Sequence, residues 1–289
     1  MPLRARRRRV RAFWALGALV LCGAFFYGVS WVSYLPQFNV SSISVSGAED
    51  IKEEVIKRSI ETMLDDGSYH ILSRRNIFLY PRARLEKTLA DSFPLIKSVH
   101  IARSSLLATD IVVTIEEREA FARWCPPRLA GSSGEAGRDD DTHCYLMDDS
   151  GFIYAPVGAN TGTSTPQANP SERYIFRGDI DPSSEPIGQW FVQAHLPGLL
   201  SLLKFLGQAG FTALSAEVEN EQDILVRLQE GFLLKASFGA DAGTLVKNLE
   251  LVLSSDVLKG KTEQLEYVDL RFGNRVYYKL KGQEQQSTQ

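Results

Sequence analysis

Residues 38–47 read Phe38-Asn39-Val40-Ser41-Ser42-Ile43-Ser44-Val45-Ser46-Gly47. Ile43 and Val45 alternate with serines, the period of two that marks a strand with one buried face, and Gly47 ends it. Asp50 stands where a side chain would cap the helix that follows. In that helix Val55, Ile56, Ser59, Ile60 and Met63 share one face, and Lys52, Glu53, Lys57 and Arg58 the other. Asp65-Asp66-Gly67 breaks it. A second helix is expected over 82–92, with Pro81 beside its start, Leu85, Leu89 and Phe93 at i, i+4 and i+8, and Pro94 beyond its end. Residues 96–103 and 110–116 then read as two strands joined by a short turn. The order β-α-α-β-β predicts a compact α+β unit with helices on one side of a three-stranded sheet.

Upstream, residues 12–35 (AFWALGALVLCGAFFYGVSWVSYL) contain no charged side chain. As a helix this run spans roughly 36 Å, enough for the ~30 Å hydrocarbon core with some tilt. Trp14 at one end and Trp31 and Tyr34 at the other suit the two headgroup belts. Six arginines precede it (Arg4, Arg6, Arg7, Arg8, Arg9, Arg11), which by the positive-inside rule keep residues 1–11 in the cytoplasm and put residues 36–289 outside. A cleaved signal peptide ending at Gly28-Val29-Ser30 is the rival reading, but its apolar core would be shorter and less rich in Trp. No second apolar run is long enough to cross, so a single span is expected. Ala24 and Gly28 form a small-x-x-x-small pair that would permit close helix approach and that is also common by chance.

Charge excludes one broad class of function. The whole chain carries a net charge of -3, but all 35 acidic residues lie at or beyond Glu49 while six of the 32 basic ones lie before residue 12. The exterior part is therefore strongly acidic and repels phosphate backbones, so no nucleic-acid partner is expected for it.

Downstream, 121–124, 145–147, 152–154, 174–176, 213–218, 224–228 and 232–237 are short strand candidates between turn signals such as Asp149-Ser150-Gly151 and Glu230-Gly231. Two helices interrupt them. Residues 197–208 carry Leu199, Leu202, Leu203 and Leu206 on one face, and 242–254 carry Leu245, Val246, Leu249 and Val252 behind a capping Asp241. Residues 266–281 are the last strand-like segment, and 282–289 a polar, Gln-rich tail expected to be disordered. Cys125 and Cys144 flank a Gly/Ser-rich loop outside the span, where a disulfide persists and would be worth about 3 kcal/mol by loop entropy. Free thiols, or a metal site with His143 and Asp139–Asp141, are the alternatives; metal-type spacings such as C-x2-C are missing.

Three stretches resemble the FtsQ/DivIB family of bacterial cell-division proteins. The first is 38–47 with the following helix and Pro94-Leu95-Ile96-Lys97-Ser98-Val99, similar to the opening of that family's POTRA domain. The second is 113–124, with Glu117, Arg118, Ala122 and Trp124 on the pattern V-x-x-x-E-R-x-P-x-A-x-W, followed by Leu146-Met147-Asp148 and Gly151. Ala120 departs from the pattern, which often has Pro there. The third is Tyr267-Val268-Asp269-Leu270-Arg271-Phe272, close to the family's Y-I/V-D-L-R-Y/F stretch. The resemblance implies an α+β chain built from a cytoplasmic tail (1–11), a transmembrane helix (12–35), a POTRA domain (36–118), a mainly antiparallel β domain with two helices (119–281) and a tail (282–289). It further implies an inner-membrane protein of the division septum that is not an enzyme. Such a protein binds FtsB/DivIC-like and FtsL-like proteins and so helps control septal peptidoglycan synthesis.

The residues point the same way. A last strand is often a sheet edge whose unpaired N–H and C=O groups a partner strand can complete. Phe272, Tyr277 and Tyr278 are aromatic, a residue class enriched among interface anchors, and Arg271, Arg275 and Lys279 suit an acidic partner. The partner-binding candidates are Tyr267, Arg271, Phe272, Val276 and Tyr278. Against this, Val268, Leu270 and Phe272 alternate, as a strand packing only a core would. Catalytic readings fail one by one. Ser201-Leu202-Leu203-Lys204 has S-x-x-K spacing, but its companion motifs are missing. No G-x-S-x-G elbow or Gly-rich phosphate loop occurs, and the acidic pairs Asp65-Asp66 and Asp148-Asp149 sit in turns without converging. No catalytic residue, metal, cofactor or small-molecule substrate is expected. The alternative function is a POTRA-bearing chaperone for translocation or outer-membrane assembly.

Overall fold

Two compact units divide the chain, residues 1–117 and 118–289. The computed structural model describes residues 3–65, 72–105, 108–127, 143–158, 174–178, 180, 184–273 and 275–282, with side chains from Arg11 onward. The break at Asp65-Asp66-Gly67, the acidic triplet Asp139–Asp141, and the loops at 126–143 and 158–171 lie mostly or wholly outside those residues, as does the polar tail after 282.

The first unit opens with helix α1 (Leu3–Ser33). Its segment from Arg11 to Ser33 is long and apolar enough to cross a membrane, and within it the most apolar 18-residue stretch is not buried inside the protein. Then come β1 (Ser42–Ser46), α2 (Glu53–Leu64), α3 (Arg82–Ser92), β2 (Ile96–Arg103) and β3 (Asp110–Glu117). The sheet order is β1-β3-β2, with β1 parallel and β2 antiparallel to the central β3. In β3, Ile111, Val113 and Ile115 alternate inward with no break. In β2, Ile96 and Ile101 are both buried although a regular strand would turn residues i and i+5 to opposite faces; a register shift between Ile96 and Ser98 restores the parity. Ile56, Ile60 and Leu64 of α2 and Leu85 and Leu89 of α3 close the core over the sheet.

Two local expectations are corrected. Val55 is 43% exposed, because the buried stripe of α2 is centred on Ile56, Ile60 and Leu64 and leaves Val55 at its rim. Asp50 does not cap α2. The cap position is Lys52, with no side-chain bond, and the preceding turn is held from afar. The Glu117 carboxylate accepts from the backbone N–H groups of Glu49 (3.2 Å), Asp50 (3.0 Å) and Ile51 (3.0 Å). Gly47, with φ +80°, lies against the Ile115 carbonyl so closely that a Cβ would overlap it.

The second unit holds β4 (Ala122–Cys125), β5 (Tyr145–Met147), β6 (Ile153–Pro156), β7 (Ile175–Arg177), α4 (Leu196–Gln208), β8 (Ala213–Val218), β9 (Asp223–Leu228), β10 (Leu233–Ser237), α5 (Ala242–Leu253), β11 (Leu265–Phe272) and β12 (Arg275–Leu280). Among the described residues these strands make one sheet in the order β12-β11-β10-β9-β8-β7-β4-β5-β6. It is mixed: β4–β7, β7–β8 and β10–β11 are parallel and the other pairs antiparallel. Helix α4 packs on β8, and α5 on α4, β11 and β12. Leu199, Leu202, Leu203, Leu206, Leu245, Val246 and Leu249 are all buried in the resulting core. Asp241 caps α5, accepting from the Thr244 N–H at 2.8 Å. Cys125 and Cys144 form a disulfide at the ends of β4 and β5, with Cα atoms 4.3 Å apart. Beside it Trp124 is fully buried, its Nε1–H donating to the Gly178 carbonyl at 3.0 Å.

The last strand-like segment, 266–281, is not one strand. It folds back at Gly273 (φ +67°), so that β11 lies inside the sheet and β12 at its margin. The Gly-Asn pair at 273–274 is the hairpin signal that the alternation of the flanking residues hides.

Candidate functional site

A nine-stranded sheet has two margins, and here they differ. On the β6 side the backbone is already occupied: Ile153 N–H donates to the Gln189 carbonyl (3.0 Å) and Gly188 N–H to the Ile153 carbonyl (2.8 Å), while Phe152 and Trp190 form a further bridge. On the β12 side the described residues include no further strand, so β12 presents its outer backbone row.

The hairpin is positioned by three devices. Asn248 of α5 donates its side-chain amide to the Gly273 carbonyl (3.4 Å) at the turn. Lys279 pairs with Glu266 across the hairpin (2.8 Å). Arg271 ties three neighbouring strands together. Its guanidinium bonds Asp269 on β11 (2.7 and 2.9 Å) and Asp223 on β9 (2.8 Å), and Asp223 in turn accepts from Ser237 on β10 (2.9 Å). The bonds to Asp269, then that to Asp223, outweigh partial desolvation and raise the Arg271 pKa above its ordinary value. For Asp223, burial works against ionisation, but hydrogen bonds from Ser237, Asn220 and Arg271 win and hold its carboxyl below the usual range. Arg271 is thus turned toward its own sheet, with 23% of its side chain exposed.

The other candidates separate by exposure. Phe272 is 55% exposed and meets Tyr277 edge-on, ring centroids 5.1 Å apart, and Tyr278 is 40% exposed. Phe272 and Tyr277 form one apolar patch, and Tyr278, the next residue along β12, lies on the opposite face of the strand, the side of Val276 and Leu280. Val276 and Leu280 are half-buried against the core, and Tyr267 sits on the interior strand under the Lys235 ammonium, 4.7 Å from its ring. The five candidates therefore share one hairpin, but only Phe272 and Tyr278 stand out from it. Tyr277, 49% exposed, belongs with Phe272, whose ring it meets edge-on. From Arg275 to Lys281 the strand carries Arg275, Lys279 and Lys281 and no acidic residue.

The second motif stretch serves the fold. Asp148 is buried, and its carboxylate accepts from the Ser150 N–H (2.9 Å), the Ser150 hydroxyl and the Phe152 N–H (3.0 Å), and pairs with Arg118. The Arg118 guanidinium also lies 3.9 Å above the Phe152 ring. Burial disfavours the charged form of Asp148, yet the Ser150, Phe152 and Arg118 bonds together hold its pKa below the ordinary value. Ser201 and Lys204 lie one turn apart on α4, Ser201 half-buried and Lys204 exposed. Among the described residues no group of three or more His, Cys, Asp or Glu side chains converges as a metal site would. No known family model matches the chain, and a search of curated proteins returns no match.

Proposed function

We propose that the chain is a membrane-anchored, non-enzymatic scaffold of the FtsQ/DivIB type, in which the first unit is a POTRA domain and the second a β domain. In this reading α1 spans the inner membrane once with its arginines in the cytoplasm, and both units lie outside, at the division septum. The partner, an FtsB/DivIC-like protein joined by an FtsL-like one, adds a strand to β12. The observation that carries the reading is the open β12 margin bearing exposed Phe272, Tyr277 and Tyr278. Main-chain bonds along an edge supply affinity, and aromatic anchors beside it supply selectivity. The basic run at Arg275, Lys279 and Lys281 suits an acidic partner segment.

The test is binding of the full-length chain in lipid nanodiscs to the exterior segment of the host's FtsB/DivIC-like protein. Phe272→Ala and Tyr278→Ala, each of native circular dichroism, are expected to weaken binding at least tenfold. Binding that survives both moves the site elsewhere. No binding, even with an FtsL-like partner supplied, overturns the division reading in favour of a POTRA-bearing chaperone, which shares the β-α-α-β-β unit and would also use an edge strand.

A further inference from the structure

The end of α1 is bonded to one particular stretch of the first unit. Ser33, in the last turn, is buried; its hydroxyl accepts from the Ser73 N–H (3.1 Å) and its carbonyl accepts from the Asn76 side-chain amide (3.1 Å). Immediately around those two contacts the chain exposes apolar side chains: Leu72 (37%), Phe78 (54%) and Leu79 (45%). Each is within three residues of Ser73 or Asn76, so its Cα is at most about 11 Å from a residue bonded to the helix end.

The same stretch is basic in an acidic body. Residues 72–84 contain Arg74, Arg75, Arg82 and Arg84 and no Asp or Glu. A cavity of about 550 Å³ opens there, lined by Phe78, Tyr80, Arg82 and Arg103 with Ile77 and Ser105. Its walls are set by ring and charge contacts: Arg103 lies over the Phe78 ring at 5.1 Å, and Arg82 is oriented by Glu86 (2.9 Å). Exposed Phe and Leu beside Arg is the composition of a surface that sits in a bilayer interface, apolar groups inserted and guanidinium groups on phosphates.

We infer that residues 72–84 with Arg103 form a shelf that rests on the leaflet from which α1 emerges, and that the cavity takes the phosphate of an anionic phospholipid headgroup. The inference rests on α1 spanning a membrane. The shelf then fixes the orientation of the first unit on the membrane surface, because α1 and the shelf are two attachments joined through Ser33.

The test is hydrogen exchange of the full-length chain in nanodiscs of phosphatidylcholine alone and of phosphatidylcholine with phosphatidylglycerol. Amides of 72–84 are expected to exchange about fivefold more slowly per engaged arginine in the anionic discs, the Boltzmann factor for a basic side chain at such a surface. High salt removes the difference. Arg75→Gln with Arg82→Gln abolishes it, the corresponding lysine pair retains most of it, and exchange in the sheet stays unchanged in both. Equal protection from glycerol phosphate added to phosphatidylcholine discs overturns the lipid assignment in favour of a free phosphate. Protection of 12–33 with no lipid dependence at 72–84 overturns the shelf and leaves the anchor standing. Rapid exchange throughout 12–33 overturns the anchor and the shelf together.

Discussion

Replacing Asp148 by Ala removes the acceptor at the centre of the turn between β5 and β6. Arg118, whose side chain is 12% exposed, loses its counter-charge, and the Ser150 and Phe152 N–H groups lose their acceptor. Breaking a buried pair by deleting one partner costs about 3–5 kcal/mol, because the other charge stays buried. Each backbone donor left unpaired adds about 1 kcal/mol where water cannot reach it. Ser150 and Phe152 are half-buried, so water satisfies part of what is lost and the expected total is about 4 kcal/mol. For a unit of this size that is a fall in Tm of roughly 8–16 °C. Urea unfolding of the full-length chain in detergent reads it, followed by Trp fluorescence with Trp14 and Trp31 changed to Phe so that Trp124 and Trp190 report the second unit. Arg118→Ala and the double variant complete a cycle, with a coupling of about 2 kcal/mol expected. A loss below about 1 kcal/mol for Asp148→Ala, or single losses that simply add, would refute the claim that this ion pair holds the turn.

Cys125→Ser with Cys144→Ser opens a loop closed across a sequence separation of 19 residues. The expected cost is about 3 kcal/mol in the second unit, with dithiothreitol producing the same shift in wild type and none in the variant. Acid dependence follows from Asp148 and Asp223, whose folded pKa values are depressed. Their stabilisation is complete above the unfolded value of about 4 and is lost as pH falls through the folded values. The urea midpoint of the second unit should therefore be flat from neutral pH to about 5 and drop below it. Asp148→Asn combined with Asp223→Asn should flatten that drop. Gly47→Ala should destabilise the first unit by at least about 2 kcal/mol, since it adds steric overlap with the Ile115 carbonyl to a left-handed backbone. Gly260→Ala, also at positive φ but in open space, should cost about half as much by the same thermal melt.

Periodicity located the helices over 82–92, 197–208 and 242–254 to within a residue or so, because each carries a narrow apolar stripe that only a helix can bury. The alternating strands were equally legible, down to Ala213–Val218. What local pattern could not convey was pairing. Parallel neighbours such as β10 and β11 are 28 residues apart at the nearest ends, and nothing in either strand names the other. Glu117 was legible as part of a motif but not as the group that binds the turn at 49–51, since that bond spans nearly 70 positions. At the candidate site the aromatics could be read but their exposure could not. Phe272 looked equally like a core residue until the hairpin placed it beside the turn. Arg271 could be read as a candidate, but its bond to Asp223, far away in sequence, could not.

From β8 to β12 the sheet is ordered as the chain is ordered, each strand lying beside its predecessor. A polypeptide that stops before residue 262 would therefore end with α5 and leave β10 as the margin. Unlike β12, β10 has not been shaped as a margin. Leu234 and Ala236 are fully buried, and its far backbone row normally pairs with Tyr267, Val268 and Asp269. Such a row is a template for joining any other extended chain. Premature termination in this region thus replaces the β12 margin with one that sticks indiscriminately. A shortened protein that fails to assemble would be reporting its own aggregation, and only single-residue changes on β12 can tell the two apart.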